Sequence, residues 1–499
     1  MQSKYIFNPR KLLLLVLIGA VGFTGCKKFL DINQNPNNPD TADPTLLLPT
    51  VEAAVSQIVG NGYQVFGGIW SQYWTQSPTA SQYRTIDQYN LANTAFDRNW
   101  LTLYRSALIN AQIIINNNTV AGVEYTKGIA YILKAYATQL TTDGFGDIPL
   151  GQALQGATFI SPQYQSQQSV YDSIFVFIDK GVGLLKTPTA TNPGAQDMIF
   201  QGGLAQWIAF ANTLKLRAYL RIAYIDPAKA QAGIQALYAT NPTFVTADAT
   251  IKYTTIGGNE NPLYNEMVAL NRVQNLVASK TVVSAFIRNA DVRRFKFYDL
   301  LKDSTEITSI PQGNYLNSPI KLVSPPSALV GGNSTNTSSA TAPVKLISAT
   351  ESLFLQAEAV ARGWAPNGGD LETLIKNGVN ASFVATGLAI ADGTNYYAAA
   401  PDGHTAFVAA TTVEAKVQVI ITQKYYAMCG FQGFEAWSEW RRTGYPTFFV
   451  KSIASLLGGL KAPLRFLYPN TELTTNANYP GTQPLSVNVW WGKNLQFTQ

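Results

Sequence analysis

The chain has 499 residues, of which 46% are hydrophobic, 12% aromatic and only 13% charged, with 36 Lys plus Arg against 30 Asp plus Glu for a formal charge of +6. This length and apolar content can build a large core, and no basic run beyond Cys26-Lys27-Lys28 provides the electrostatic footprint of a nucleic-acid binder. Two cysteines and one histidine leave any Ser-His-Asp triad or multi-histidine metal centre dependent on His404 alone, so neither is expected.

Lys4, Arg10 and Lys11 precede an apolar run from Leu12 to Phe23 that closes on Thr24-Gly25-Cys26, the layout of a cleavable signal peptide. Crossing a hydrocarbon core of ~30 Å takes about 20 helical residues, so this shorter run is not read as a permanent span. Small residues before a cysteine resemble a bacterial lipobox. Residues 1–25 are accordingly expected to be removed and Cys26 to be lipidated, and its acyl chains would anchor the protein. With Cys26 so used, Cys429 has no partner for a disulfide. The three signal-peptide cations leave too, which brings the mature chain near charge balance.

The stretch to residue 44 is dense in Asn, Pro and Asp and reads as a tether. Residues 45–499 show no composition break and are expected to form one domain. Trp100, Leu103, Tyr104, Ala107, Leu108, Ala111, Ile114 and Ile115 make one helical stripe; Ile129, Ile132, Leu133, Tyr136, Ala137 and Leu140 make the next. Further helices are predicted at 45–60, 168–186, 201–225, 227–239, 345–363, 370–387 and 411–430, mixing Ala with large Tyr, Trp and Leu as helix-pair repeats do. The expected fold is mainly α, with tetratricopeptide-like pairs. Irregular connections are predicted at 61–95, 241–280, 303–344 and 388–410 and after 444, with 332–344 flexible.

Segment 70–90 concentrates Trp70, Tyr73, Trp74, Tyr83, Tyr89 and Arg84, the ring faces and guanidinium that a sugar-stacking platform needs. Trp70 and Tyr73 could instead seal a helix pair. Tyr315, with Asn314 and Asn317, is a second ligand-binding candidate. Asp143 and Asp147 in TTDGFGDIPL lack the other ligands of a calcium loop, and a helix-ending turn is expected there. Glu435 and Glu439, one helical turn apart before Arg441 and Arg442, are read as an ion-pair cluster rather than a glycosidase pair. The charges of Lys215, Arg217 and Arg221 are expected to be solvated, opposite a packing stripe. No metal or cofactor is expected.

Several segments in order resemble the SusD/RagB family of nutrient-binding outer-membrane lipoproteins, in its SusD-like branch: FLDINQNPNNP after Cys26, NWLTLYRSALINAQIII, TTDGFGDIPL, WIAFANTLKLRAYLRIAY, SLFLQAEAVARGW, ITQKYYAMCGFQGFEAWSEWRRTGYP, APLRFLYPNTE and VNVWW. The resemblance implies about four helix pairs as scaffold, with long loops carrying the ligand site, and it singles out the region holding Trp74, Tyr83 and Arg84. It further implies a non-enzymatic, outward-facing lipoprotein of the outer membrane that captures an oligosaccharide, or in some members a peptide, for a SusC-like TonB-dependent transporter. A surface glycoside hydrolase is the alternative from another class.

Overall fold

The structure, a computed structural model, describes residues 43–497. The signal peptide, Cys26 and the tether up to residue 42 lie outside the described residues. Helices begin where the sequence supplies a cap. Ser166, Asp226, Asn261, Ser348, Asp370 and Thr412 each accept a backbone N–H of the first turn, which satisfies donors that have no partner within the helix. Pro227 and Pro262 stand in the first helical turn, where a missing N–H costs nothing.

In chain order the principal helices are α1 (Pro44–Gly60), α2 (Gly62–Trp70) and α3 (Asp97–Leu101, continuing through a π segment, Thr102–Leu108, into Ile109–Asn116). There follow α4 (Glu124–Phe145), α5 (Gln167–Leu184), α6 (Leu204–Arg221), α7 (Pro227–Tyr238), α8 (Pro262–Ala269) and α9 (Lys280–Arg288). The last are α10 (Ala349–Ala361), α11 (Leu371–Ala385), α12 (Ile390–Ala399), α13 (Val413–Met428) and α14 (Gly433–Thr443). Consecutive helices pack as neighbours: α3 on α4, α4 on α5, α6 on α7, α10 on α11 and α13 on α14. The fold is mainly helical, as expected. Among the described residues no helix is long and apolar enough to cross a membrane.

Parts of the chain expected to be irregular carry short elements. Segment 61–95 contains α2 and strand β1 (Trp74–Gln76); 241–280 contains β2 (Ala249–Ile251), α8 and β3 (Leu276–Ala278); and 388–410 contains α12. β1 pairs antiparallel with β3, and β2 pairs antiparallel with β4 (Val344–Ile347), across large sequence separations. Segment 332–344, expected to be flexible, is folded into short turns in which Ser339 donates to the Asn333 carbonyl and Asn261 donates to the Ala342 carbonyl.

α2 is glycine-rich and has no polar face, which hides its periodicity. Glycine serves there because α2 meets α14 backbone to backbone: a Cβ on Gly67 would lie 2.2 Å from the Phe434 nitrogen, and one on Gly433 would lie 2.5 Å from the Gly68 nitrogen. Around this crossing an aromatic cluster of Tyr63, Phe66, Trp70, Phe434, Trp437 and Phe466 fills the core. Among the described residues no Trp, Tyr or Phe is classed as exposed, so the aromatic richness of the sequence is spent inside rather than on the surface.

The helical core also holds a charge network. Arg221 reaches Glu435 at 2.5 Å, Asp143 at 3.2 Å and Glu439 at 3.3 Å; Lys424 reaches Glu439 at 3.0 Å; Arg442 bonds both Glu439 and Glu358. Arg217 adds Glu351 at 3.4 Å. Arg217 and Arg221 are 3% and 1% exposed, which corrects the expectation that they are solvated. Their helix α6 is packed on more than one side, so the face opposite its apolar stripe is interior as well. Glu435 and Glu439 are the ion-pair partners expected. Asp143 accepts from Tyr171 at 2.6 Å and from Trp491 at 2.8 Å, while Gly146, at φ +83°, ends α4.

Candidate functional site

Loops from three distant parts of the chain meet at one buried carboxylate, Asp87. Its Oδ2 accepts from the Thr75 hydroxyl at 2.5 Å and the Gln76 N–H at 2.9 Å, and its Oδ1 accepts from Gln312 Nε2 at 2.7 Å and the Ser452 hydroxyl at 3.4 Å. Thr75 and Gln76 belong to β1, Gln312 to the 303–344 connection, and Ser452 to the chain after α14. Asp87 is fully buried and, among the described residues, no cation bonds it. Burial pushes its carboxyl above the usual range, and these four neutral donors pull it back.

Neighbouring bonds extend the joint. Gln312 Nε2 also donates to the Trp74 carbonyl at 3.1 Å, the Gly313 N–H to the Thr75 hydroxyl at 3.0 Å, the Ile453 N–H to the Gln312 carbonyl at 2.9 Å, and the Leu456 N–H to the Gln88 carbonyl at 2.8 Å. Gly313 sits at φ +78°, and a Cβ there would fall 2.1 Å from Ser452 Oγ, so both the turn and the contact require glycine.

This joint brings together the regions of the four residues anticipated from sequence, with unequal consequences. Trp74 is 0% exposed and stacks under Gly68, whose added Cβ would lie 2.4 Å from its ring. Its expected role as a sugar platform is therefore corrected: no ring face is open to a ligand, because β1 is covered on both faces. Tyr83 and Tyr315 are 6% and 1% exposed, so they offer at most an edge. Arg84 is half-buried, its guanidinium 5.6 Å from the Tyr315 ring centroid. Tyr83 and Arg84 keep polar atoms, Oη and Nε, that are buried without a hydrogen-bond partner, as does Trp74 Nε1. Buried polar atoms without a partner recur elsewhere in the structure, so these three do not by themselves mark a site.

Around Arg84 the surface is neutral and polar. Ser81, Gln82 and Asn317 are exposed, and Gln88 and Asn314 half-exposed. Gln82 is held by its backbone N–H donating to Asn275 Oδ1 at 3.0 Å, and Tyr83 by its N–H donating to Gln76 Oε1 at 2.7 Å. A guanidinium and carboxamides on a braced loop can bond hydroxyls or carbonyls of a polar ligand. Sequence reasoning missed Asp87, Gln312 and Ser452, the residues that brace this loop. An Asp among Tyr and Gln in a loop carries no signal of burial.

Trp70 and Tyr73 are structural. The Trp70 indole donates to the Ile86 carbonyl at 3.1 Å, and the Tyr73 hydroxyl donates to the Tyr425 carbonyl. His404 Nδ1 lies 2.7 Å from Glu372 on the exposed side of the chain. Among the described residues no group of His, Cys, Asp and Glu has the arrangement of a metal site.

A sequence model of the SusD-like family described as starch-binding and associating with the outer membrane matches residues 36–469. No curated protein matches the sequence. Among solved structures, a chitin-binding SusD homologue from Flavobacterium johnsoniae superposes with a TM-score of 0.74 at 24% identity, covering 91% of this chain and 98% of that one. A SusD homologue from Bacteroides uniformis gives 0.74 at 25% identity, covering 91% and 100%. One from Bacteroides vulgatus gives 0.73 at 23%, covering 86% and 92%. With a family match over most of its length and a fold shared nearly end to end with these homologues, the chain belongs to the SusD-like branch of the SusD/RagB family.

Proposed function

We propose that this protein is a lipid-anchored binding subunit of a nutrient importer, facing outward on the outer membrane, which captures an oligosaccharide and hands it to a SusC-like TonB-dependent transporter. The family assignment supports the role, and the family's description supports the membrane. The observation that carries the ligand reading is the Asp87-braced loop surface, where the half-buried Arg84 lies beside the exposed Gln82 and Asn317. Hydroxylated ligands match such a surface, because their oxygens can accept from the Arg84 guanidinium while their hydroxyls bond the neighbouring carboxamides. Binding without hydrolysis fits the fate of Glu435 and Glu439, whose carboxylates are engaged by Arg221, Lys424 and Arg442 inside the helical core.

Titration calorimetry of the purified protein with malto- and chito-oligosaccharides tests the ligand. Binding of either is expected, and Arg84→Ala should weaken it about tenfold, the cost of one charge-assisted hydrogen bond. If neither oligosaccharide binds and a peptide mixture does, the oligosaccharide reading falls. Anchoring is tested by Cys26→Ala, which should leave affinity intact and release the protein from the membrane fraction; continued attachment would overturn it. The anchor would raise the local concentration of captured ligand beside the transporter, making hand-over nearly intramolecular.

A further inference from the structure

A second cavity lies away from the loop site and shares none of its residues. It encloses about 540 Å³ where α3, α4 and α5 meet the loop after α4, a volume within the range of ligand pockets of ~300–1,000 Å³. Gln112 and Asn116, one turn apart on α3, face it, as do Ser173 and Phe177, one turn apart on α5; Gln155 and Gln165 close it from the loop side. Leu150 and Leu154 add an apolar margin. The loop is braced from within: the Gly151 N–H donates to Gln165 Oε1 at 2.7 Å, and Gln155 Nε2 donates to the Gly151 carbonyl at 2.9 Å.

Into this space α4 contributes one cation, Lys134. It is 7% exposed, its ammonium donates to Gln112 Oε1 at 2.5 Å, and it lies 4.2 Å from the Phe177 ring centroid. No carboxylate lines the cavity. Burial lowers the Lys134 ammonium to about 8, and the neighbouring charge acting on it is another cation, Lys180. Among the described residues the other strongly buried Lys, Lys345 and Lys424, each have an acidic partner within 4.0 Å. A buried ammonium facing a polar cavity without a counter-charge is costly unless an anion enters.

We propose that this cavity is a second ligand site that takes a small hydroxylated carboxylate, an acidic sugar of mono- to disaccharide size, with Lys134 pairing its carboxylate and the carboxamides of Gln112, Gln155 and Gln165 bonding its hydroxyls. The neutral amides and the apolar margin distinguish it from a site for a bare inorganic anion, which would be met by several cations. The inference does not rest on the proposed function, because it uses a different ligand and different residues.

The test is calorimetric titration of the full mature protein with glucuronate, with glucose and sodium sulfate as controls. Glucuronate is expected to bind one to one, glucose at least tenfold more weakly, and Lys134→Met to lose at least tenfold in glucuronate affinity while oligosaccharide binding at the loop site is unchanged. Thr158→Trp, at the exposed rim of the cavity, should block glucuronate without touching the core and keeps the test intact if the Lys134 variant misfolds. Absence of glucuronate binding, equal binding of glucose, stronger binding of sulfate than of glucuronate, or unchanged glucuronate affinity in Thr158→Trp would each overturn the proposal.

Discussion

Two buried carboxylate centres, one in the helical core and one beneath the loops, solve the same physical problem in opposite ways. In the core, Glu439 is neutralised by Arg221 and Lys424 on neighbouring helices and by Arg442 on its own, and Glu358 by Arg442 across a helix interface. Burial alone would raise Glu439, but Arg442, Lys424 and Arg221 together hold it well below the ordinary carboxylate range. Under the loops, Asp87 has four neutral donors and no cation, and its carboxyl lies above the ordinary range. Helices place long side chains at fixed spacing, so arginines can be aimed across interfaces; loops supply short hydroxyls, amides and backbone N–H groups, so a carboxylate there is satisfied by hydrogen bonds. The first arrangement fixes how helices cross, and the second fixes how three loops share one surface.

Breaking the core centre should have the largest effect. Glu439→Ala leaves Arg442, Arg221 and Lys424 without a shared anion, and urea denaturation should show a loss of about 3–5 kcal/mol, typical of breaking a buried ion pair. Because the Glu439 pKa is depressed, its contribution is present above the unfolded-state value of 4.5 and is lost as pH falls below it. Asp87→Ala should cost less, about 2–3 kcal/mol, from donors left unpaired. It should also weaken ligand binding, because the loops lose their common acceptor; unchanged affinity in that variant would show that Asp87 does not position the site.

A third centre sharpens the contrast. Glu52 is buried beside Asp197, and burial followed by that neighbour pushes its carboxyl up to about 10. Its pKa is raised on folding, so stability is highest below the unfolded-state value near 4.5 and falls as pH climbs toward 10. Glu52→Gln should remove most of this slope and stabilise the protein by about 1–2 kcal/mol at pH 8, read from melting curves at pH 5 and pH 8. An unaltered slope would place the titration elsewhere. The smallest stability effect is expected for Arg84→Ala, within about 0.5 kcal/mol of the parent. A larger loss would mean that Arg84 supports the fold, and weakened ligand binding in that variant could then not be assigned to lost contact.

Much of the helical scaffold was legible because long amphipathic segments carry a 3.6-residue period, as the Trp100–Ile115 and Ile129–Leu140 stripes do. α2, α8, α9 and α12 were not read as helices. α2 is buried on nearly all sides, so its apolar residues show no stripe, and α9 is short, following a strand that forms only through a partner 200 residues away. The Tyr, Trp and Arg content singled out the region of the proposed loop site, but which of those rings face outward was not legible, since composition does not distinguish a ring in a core from a ring on a surface.

By itself the sequence determined the mainly helical class, the family and the pairing of Glu435 and Glu439 with cations, all of which rest on local periodicity, spacing and ordered motifs. Only the tertiary structure decided that Trp74 faces the core, that Arg217 and Arg221 are interior, that Asp87 joins three loops, and that Lys134 is buried without a counter-charge. Each of these depends on which distant segment covers a given face, and local periodicity and spacing do not show that.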